Sequence, residues 1–250
     1  MAKKIPQIIE LLNGDAYKLI KTLPDKSVDL VVTDPPYDFM TKHKSENYSG
    51  AGAFGTLGRT YHGELQNNNI INGIDTKVML KELCRVMKKV NIYIWCNKKQ
   101  IYEYLTYFKD YNMELLTWHK SNPIPTCSNK YLSDTEYLLF FREEGVKIYG
   151  TYETKSKYYV TQTNKTDKQK WGHPTIKPLN IIENLVLNSS LEGQTVFDPF
   201  MGSGTTGVAC KMHNRNFIEM EIDRTFYKTA EERITNTDIK TTLSQPSLFD

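Results

Sequence analysis

Apolar and polar residues follow one another along this chain in two periods, one typical of strands and one of helices. Short apolar runs predict strands at 28–33, 91–96, 114–118, 136–141, 195–198 and 217–221. Amphipathic spacing predicts helices that start near Ala16 and that span 75–89, 98–111, 181–190, 205–212 and 224–237. Strands that alternate with crossover helices indicate an α/β fold, with a central, mostly parallel sheet and flanking helices.

Two long segments interrupt this alternation, at about 38–73 and at 147–172. Loops of this length inside a compact domain are usually functional or disordered. The first segment holds His43, Lys44, Arg59, Tyr61 and His62. The second interleaves tyrosines with Lys147, Lys155, Lys157, Lys165, Lys168 and Lys170, a mixture that suits a phosphate-facing surface with stacking groups. We expect nucleic-acid contacts in both segments; the alternative is a pair of solvated surface loops.

Length and composition restrict the class of protein further. The 250 residues are enough for one sizeable α/β core, and no apolar run approaches the length of about twenty residues that a membrane-spanning helix needs. Residues 1–6 are basic, but no apolar stretch follows them, so we expect no secretory signal and a cytoplasmic location. The net charge of +3 is too small to indicate nucleic-acid binding by itself.

The four cysteines indicate neither a metal site nor a disulfide framework. They are Cys84, Cys96, Cys127 and Cys210, which lie far apart and have no histidine at ligand spacing. We therefore expect most of them to fill apolar positions in the core.

A glycine-rich turn follows the predicted strand at 195–198. Its sequence is Asp198-Pro199-Phe200-Met201-Gly202-Ser203-Gly204-Thr205-Thr206. Gly202 and Gly204 let the backbone approach a ligand closely, and a helix that starts near Thr205 presents free amide groups. One strand later, Glu221 and Asp223 lie where an acidic side chain binds ribose hydroxyls. The turn predicts a nucleotide-like cofactor, but with Gly207 it also fits a dehydrogenase.

A second motif, Asp34-Pro35-Pro36-Tyr37, ends the predicted strand at 28–33. The two prolines stiffen the chain, so the Asp34 carboxylate and the Pro35 carbonyl point in fixed directions. Two convergent acceptors can bind both hydrogens of an exocyclic base amine and stabilise the positive charge that develops when the nitrogen is methylated. Tyr37 offers a flat face for stacking a base flipped out of the duplex. The alternative is a Pro-Pro turn with a solvated aspartate.

Taken together and in this order, the motifs resemble those of the β-class DNA amino-methyltransferases. The resemblance also includes the segments 93–98, 118–123, 173–178 and 217–223, and it covers almost the whole chain. It implies a Rossmann-like methyltransferase fold, S-adenosyl-L-methionine as the methyl donor and double-stranded DNA as the substrate. It further implies a single catalytic domain over 1–240, a DNA-contacting loop at about 38–73 and a target-recognition insert at about 146–172.

The resemblance assigns roles to individual residues. Catalysis is expected from Asp34, Pro35, Pro36 and Tyr37, and methyl-donor binding from Asp15, Asp34, Thr175, Lys177, Asp198, Phe200, Gly202, Ser203, Gly204, Thr205 and Glu221. Among these, Asp15 is expected near the adenine of the donor, Glu221 on its ribose, and Lys177 with Thr175 at its amino-acid end. Glu219 departs from the family, which often has a glycine there, and this puts the local strand geometry in doubt.

Within this family, aspartate at the first position of the tetrapeptide goes mostly with adenine-N6 and serine with cytosine-N4, so Asp34 favours adenine. Cytosine-N4 methylation by the same fold stays open, and so does a DNA-binding or clamp-associated protein without turnover. A dehydrogenase does not account for the tetrapeptide or for residues 173–178. A bacterial, phage or mobile-element enzyme of restriction-modification type is expected; whether it dimerises stays open.

The last ten residues form a predicted flexible tail at 241–250. Within it, Gln245-Pro246-Ser247-Leu248-Phe249 resembles the Gln-x-x-Leu-Phe peptide by which bacterial replication proteins bind the sliding clamp, with Pro246 in place of the usual leucine. Such a terminal peptide can bury Leu248 and Phe249 in an apolar groove. A clamp-binding tail and an inert tail are both compatible with this sequence.

Overall fold

The computed structural model describes residues 7–37, 74–125 and 131–240. In these ranges eight strands form one sheet in the order β1-β8-β7-β2-β3-β5-β4-β6. The strands are β1 (Ile9–Asn13), β2 (Leu30–Thr33), β3 (Asn91–Cys96), β4 (Asn112–Lys120), β5 (Thr135–Arg142), β6 (Tyr158–Thr161), β7 (Thr195–Asp198) and β8 (Asn216–Glu221). All neighbouring strands are parallel except that β5 is antiparallel to both β3 and β4. The predicted mostly parallel α/β sheet is confirmed.

Seven α-helices and one short 3-10 helix lie in the described ranges. They are α1 (Ala16–Leu19), a 3-10 turn (Ile20–Thr22), α2 (Thr76–Val86), α3 (Gln100–Tyr107), α4 (Lys165–Trp171), α5 (Leu179–Ser189), α6 (Thr205–Met212) and α7 (Arg224–Thr235). Aspartates cap α1, α2 and α7, because the carboxylates of Asp15, Asp75 and Asp223 accept backbone amides of the first turn. The acidic residues that precede these helices therefore fix where the helices start.

Two apolar layers enclose the sheet. Buried side chains of α2 and α3 pack on one face, and those of α5, α6 and α7 pack on the other. Every residue of β2 and β3 is buried, as expected for parallel strands that helices cover on both faces. This central pair brings the ends of β2 and β3 to the middle of the sheet edge, where Asp34 follows β2.

Some elements differ from the prediction. The strand β1 was not predicted, because it is a five-residue edge strand with little buried surface. Helix α2 ends at Val86 rather than at residue 89, since Met87 turns to an extended conformation and bridges to Val28. Helix α3 ends at Tyr107 rather than at residue 111, because Phe108 leaves helical geometry.

The basic segment 147–172 is not one long loop. It contains β6 and α4, and Gly172 caps the end of α4 in the left-handed conformation. The segment is fixed to the domain by the pairing of β6 with β4 and by side-chain contacts. Among these, Thr154 exchanges hydrogen bonds with Asn188 of α5, the Trp118 indole donates to Thr161 at 2.8 Å, and Arg233 of α7 lies over the Trp171 ring at 5.5 Å. We call this segment the anchored insert below.

The strand β8 is regular at Glu219, where the sequence put the geometry in doubt. Glu219 pairs with Leu11 of β1 on one side and with Asp198 of β7 on the other, without interruption. The segment 38–73, Cys127 and the tail 241–250 lie outside the described residues. Cys96 and Cys210 are buried as expected, and Cys84 is partly buried. In the part of the chain that the structure describes, no helix is both long and apolar enough to cross a membrane.

Candidate active site

A cleft of about 1460 Å³ opens at the carboxyl ends of β2, β3, β7 and β8. Open α/β sheets bind ligands at this edge, where the direction of the connections changes. The predicted site residues that line the cleft are Asp15, Asp34, Pro35, Pro36, Tyr37, Thr175, Lys177, Asp198, Phe200, Gly202, Ser203, Thr205 and Glu221. Two motifs that are about 160 residues apart in the chain therefore share one cavity.

Gly204 is the predicted residue that does not line the cleft. It caps α6 with a φ of +76°, and a Cβ there would lie 2.9 Å from the Cβ of Ala230 in α7. The structure explains this glycine by the turn and by the close packing of α6 on α7, and its contact with the cofactor stays a prediction.

Gly202 lies at the centre of the glycine-rich turn. Its φ is +53°, and its amide donates to the Glu221 carboxylate at 2.9 Å. A Cβ on Gly202 would lie 2.8 Å from Nε2 of His173, so no larger residue fits beside this imidazole. Behind the turn, the Arg233 guanidinium donates to the Ser203 carbonyl and to the Thr205 hydroxyl. The turn is thus fixed from both sides.

Asp198 ends β7 beneath this turn. Its carboxylate accepts the Phe200 amide and the Thr206 hydroxyl, each at 3.0 Å. Burial raises the pKa of Asp198 to about 7, against the effect of these hydrogen bonds. A buried acid in this state can accept a further donor from a polar ligand, so Asp198 fits the cofactor role expected from the sequence.

The carboxyl groups of Glu221 and Asp15 lie at the far end of the cleft. The Glu221 carboxylate accepts the amides of Gly202 and Asp223, at 2.9 and 2.8 Å, which fixes its orientation. Asp223 instead caps α7 by accepting the amides of Thr225 and Phe226. Of the two acids that the sequence offers for a ribose, Glu221 is therefore the better placed.

Asp34 follows β2 and faces the other part of the cleft. Its Oδ2 accepts a hydrogen bond of 2.6 Å from the Lys177 ammonium. Burial raises the pKa of the Asp34 carboxyl, and the charge of Lys177 limits that rise. Lys177 also lies over the rings of Trp95 and Tyr37, at 5.0 and 5.6 Å from their centroids.

Lys177 is bound by a second acid, Glu136 of β5, at 3.1 Å. Glu136 in turn pairs with Lys120 of β4 at 2.6 Å. Burial alone would raise the pKa of Glu136, but the two ammonium groups lower it to about 2. Burial alone would lower the pKa of Lys177, but Asp34 and Glu136 raise it above its usual value. Lys177 is therefore a buried ammonium between two carboxylates, and its expected contact with the methyl donor stays a prediction.

Three residues of the cleft were not predicted as site residues: Glu136, Lys120 and His173. The sequence signal for Glu136 is its position as the second residue of β5, directly before an apolar run, in register with Trp118 and so diagonal to Lys120 of β4. A carboxylate diagonal to a lysine on the neighbouring strand indicates an ion pair. His173 lay within a quoted motif, but its contact with Gly202 depends on tertiary structure.

These features define an α/β enzyme with a nucleotide-type cofactor cleft and a carboxylate poised beside it. A family model described as DNA methylase matches residues 28–232. The chain belongs to this family of N6- and N4-specific DNA amino-methyltransferases. The dehydrogenase alternative therefore no longer applies.

Related methyltransferases are similar in sequence to this chain over most of its length. The type II methyltransferase M2.LlaDCHI of Lactococcus lactis subsp. cremoris is 29% identical over 246 residues, which cover 90% of this chain and 88% of the relative. M2.DpnII of Streptococcus pneumoniae is 27% identical with the same coverage.

Solved structures agree in fold. The M1.HpyAVI–SAM complex superposes with a TM-score of 0.64 at 24% identity, over 90% of this chain and 100% of that one. The PvuII DNA methyltransferase, described as cytosine-N4-specific, has a TM-score of 0.67 at 15% identity, over 93% and 88% of the two chains. The fold is thus shared by an enzyme described as acting on cytosine.

Proposed function

We propose that this DNA methyltransferase transfers a methyl group from S-adenosylmethionine to the N6 amine of adenine in double-stranded DNA. The observation that carries the proposal is the Asp34 carboxylate, which lies in the same cleft as the glycine-rich turn and has one oxygen fixed by Lys177. The other oxygen, Oδ1, is buried, and apart from the interaction of this carboxyl with the Tyr37 hydroxyl it has no hydrogen bond from the described residues. A donor such as an aromatic amine satisfies it.

The cleft fits S-adenosylmethionine as the methyl donor. Gly202 forms the tight left-handed turn that packs on His173 at the wall of the cleft, Glu221 presents a fixed carboxylate for hydroxyl groups, and Asp198 is a buried acceptor beneath the turn. The M1.HpyAVI structure of the same fold is described as a complex with this molecule. When bound, it supplies an electrophilic methyl group and a sulfur leaving group, so no metal or protein nucleophile is needed.

The chain's own residues act on the base. Asp34 accepts one hydrogen of the amine, and the stiff Pro35-Pro36 segment supplies the second acceptor through the Pro35 carbonyl. As the nitrogen lone pair forms the new bond to carbon, positive charge grows on the amine beside a carboxylate, which stabilises it. The amine then gives up a proton, and Asp34 is placed to accept it because burial raises its pKa.

Tyr37 supports the base from one side. Its ring lies in the cleft and packs against the apolar cluster that contains Trp95. Burial, followed by the charges of Asp34 and Glu136, raises the pKa of the Tyr37 phenol well above its usual value, so the ring stays neutral. A neutral aromatic face suits stacking with a flipped base.

We also place DNA contacts on the anchored insert and on the loop 38–73. Within the insert, Lys165 and Lys168 of α4 line the rim of the cleft. Cations at this position would meet the phosphates next to a flipped nucleotide. The loop 38–73 carries basic and aromatic residues by sequence, and its role follows from that composition alone.

The choice between adenine and cytosine rests on Asp34, since the shared fold includes a cytosine-N4 enzyme. The test is to express the wild-type chain in a strain without adenine or cytosine methylation. The DNA is then digested to nucleosides for mass spectrometry, and modification-sensitive sequencing reports the site. N6-methyladenine is expected; N4-methylcytosine would move the proposal to the cytosine alternative.

The matched control is Asp34→Ala, which should leave DNA unmodified while the protein still binds DNA and methyl donor. If neither base gains a methyl group from the wild type, and Asp34→Ala binds DNA equally well, the chain is a DNA-binding protein without turnover.

A further inference from the structure

Four charged side chains form a line that leads from β4 across β5 to the end of β2. Lys120 pairs with Glu136 at 2.6 Å, Glu136 with Lys177 at 3.1 Å, and Lys177 with Asp34 at 2.6 Å. Their signs alternate, and two lysines balance two acids. We call these four residues the charge line.

We propose that Glu136 is a positioning residue, which holds the Lys177 ammonium on one oxygen of Asp34, and that Lys120 balances Glu136 so that the charge line is neutral beside the target amine. This inference rests on the proposed function and deepens it, because it states how the acceptor carboxylate is oriented. Neither Glu136 nor Lys120 touches the base in this proposal; both act through Lys177.

The geometry gives Glu136 this role. The side chain of Lys177 is long and flexible, and the rings of Trp95 and Tyr37 attract its charge without fixing a direction. A second carboxylate, 3.1 Å away, draws the ammonium toward β5 by charge attraction, although its Oε2 makes no hydrogen bond of good geometry. Glu136 is itself held in place, because its backbone pairs with Trp118 of β4 and its carboxylate also binds Lys120. The position of Lys177, and with it the free oxygen of Asp34, is therefore set by the sheet.

The charge balance explains Lys120. Without Lys120, Lys177 would have to balance two buried acids, and the unbalanced charge of Glu136 would compete with Asp34 for the ammonium and weaken that contact. Without Glu136, the site would hold two cations and one acid, and this excess positive charge would oppose the charge that develops on the methylated amine. Both acids need both lysines if Asp34 is to stay ionised and oriented.

Further groups surround Asp34, and any measured pH effect includes them. Those that interact with it electrostatically are Lys177, Glu136, Tyr37, Cys96, Tyr104 and Asp198. Cys96 and the two tyrosines have pKa values raised by burial and stay neutral near pH 7. Lys177, Glu136 and Asp198 therefore dominate the titration of Asp34.

The test uses the full-length enzyme with the variants Glu136→Gln and Lys120→Met, alone and combined. For Glu136→Gln we expect kcat to fall at least about tenfold, while the KM for DNA changes less than about threefold, because orientation is lost but binding is not. The double variant should have a higher kcat than Glu136→Gln, since it restores a neutral site. Lys89→Met and Glu143→Gln, from an ion pair of 3.9 Å at the opposite end of β3, are matched controls and should keep wild-type kcat.

A second readout does not depend on turnover. Carbon-13 NMR of aspartate carboxyl groups, with the Asp34 signal assigned by Asp34→Asn, reports the titration of Asp34 directly. Removing the like charge of Glu136 should lower the pKa of Asp34, and removing the cation of Lys120 should raise it, each by about one unit at most. If Glu136 and Lys120 had a purely structural role, the two substitutions would not shift the pKa of Asp34 in opposite directions.

The two proposals can fail separately. If the wild type transfers no methyl group to DNA, the proposed function fails, while the NMR titration still decides whether Glu136 and Lys120 act on Asp34. If Glu136→Gln keeps wild-type kcat, or if neither variant moves the titration of Asp34, the positioning role is overturned. Thermal unfolding of each variant shows whether a loss of kcat comes from lost structure.

Discussion

The imidazole of His173 occupies the space that any side chain on Gly202 would need, with Nε2 2.8 Å from the position of a Cβ. This contact joins the segment before α5 to the glycine-rich turn, and the Phe226 ring packs against His173 at 4.5 Å from the other side. Gly202, His173 and Phe226 all line the cleft. The shape of the cofactor cleft thus depends on a residue with no place in the glycine motif itself.

Gly202→Ala should weaken methyl-donor binding at least about tenfold, because it adds a steric clash to a left-handed backbone position. Isothermal titration calorimetry with S-adenosylhomocysteine measures the effect. Gly193→Ala is the matched control: Gly193 has a φ of +77° but nothing within 4 Å of a Cβ. It should cost about 1 kcal/mol of stability and leave binding unchanged. Equal binding by both variants would contradict the steric explanation.

His173 should make stability depend on pH. Burial, with the charges of Lys177, Lys168 and Arg233, lowers its pKa to about 4, below the unfolded value of about 6.5. The native state resists protonation, so the stability that neutral His173 contributes is complete above about pH 6.5 and is lost as the pH falls toward 4. His173→Gln does not titrate, so its stability relative to wild type should improve by about 1 to 2 kcal/mol between pH 7.5 and pH 5.

Urea denaturation of both proteins at the two pH values measures this difference directly. The comparison between variants is needed because Asp198, whose pKa is raised, contributes with the opposite sign over the same range. If the difference in free energy of unfolding between wild type and His173→Gln were the same at both pH values, the imidazole would not be shielded from protons.

Glu219 should behave as a neutral acid. It is fully buried between the sheet and Gly207, and burial raises its pKa well above the usual value. The Glu219→Gln variant should therefore not destabilise the protein at pH 7, and its stability relative to wild type should rise between pH 5 and pH 8, because wild-type Glu219 is ionised in the unfolded chain and must take up a proton on folding.

Glu183→Gln provides the contrast. Glu183 binds His213 at 2.7 Å and also pairs with Lys240, and these contacts lower its pKa to about 2. The same substitution here should destabilise by about 1 kcal/mol at pH 7, discounted for partial exposure. Denaturation curves that rank the two variants in the opposite order would contradict the assigned charge states.

For the tail, we propose that residues 245–249 bind the bacterial sliding clamp. Deleting Gln245 to Asp250 should abolish retention of the protein on immobilised clamp and leave methyl transfer to DNA intact. A second variant exchanges Leu248 and Phe249 for alanine, which removes the apolar side chains, keeps the length of the tail and should also lose retention. Unchanged retention of the deletion variant would show that the tail is inert.

Most of the strands could be predicted because the central ones, β2, β3 and β7, are short and mainly apolar runs that end at a polar turn. Asp34 and Gly202 could be placed at strand ends for the same reason. The site was harder to predict: Lys177 was assigned to the methyl donor from its motif, and its ion pairs with Asp34 and Glu136 join residues about 140 and 40 positions apart, respectively. No local period encodes such contacts. α4 was not predicted because it is rich in lysine and buries no side chain, and β6 was not predicted because it has four residues and little buried surface.

The side-chain contacts of the anchored insert limit how this segment can be exchanged by protein engineering. A relative's insert grafted between β5 and α5 would have to bring its own partners for Asn188, Trp118 and Arg233, or these three would lose their hydrogen bonds and stacking. Arg233 also supports Ser203 and Thr205 beneath the cofactor cleft. A poorly matched graft would therefore impair methyl-donor binding, so the DNA contacts that we propose for the insert are best altered by point substitutions on its exposed face.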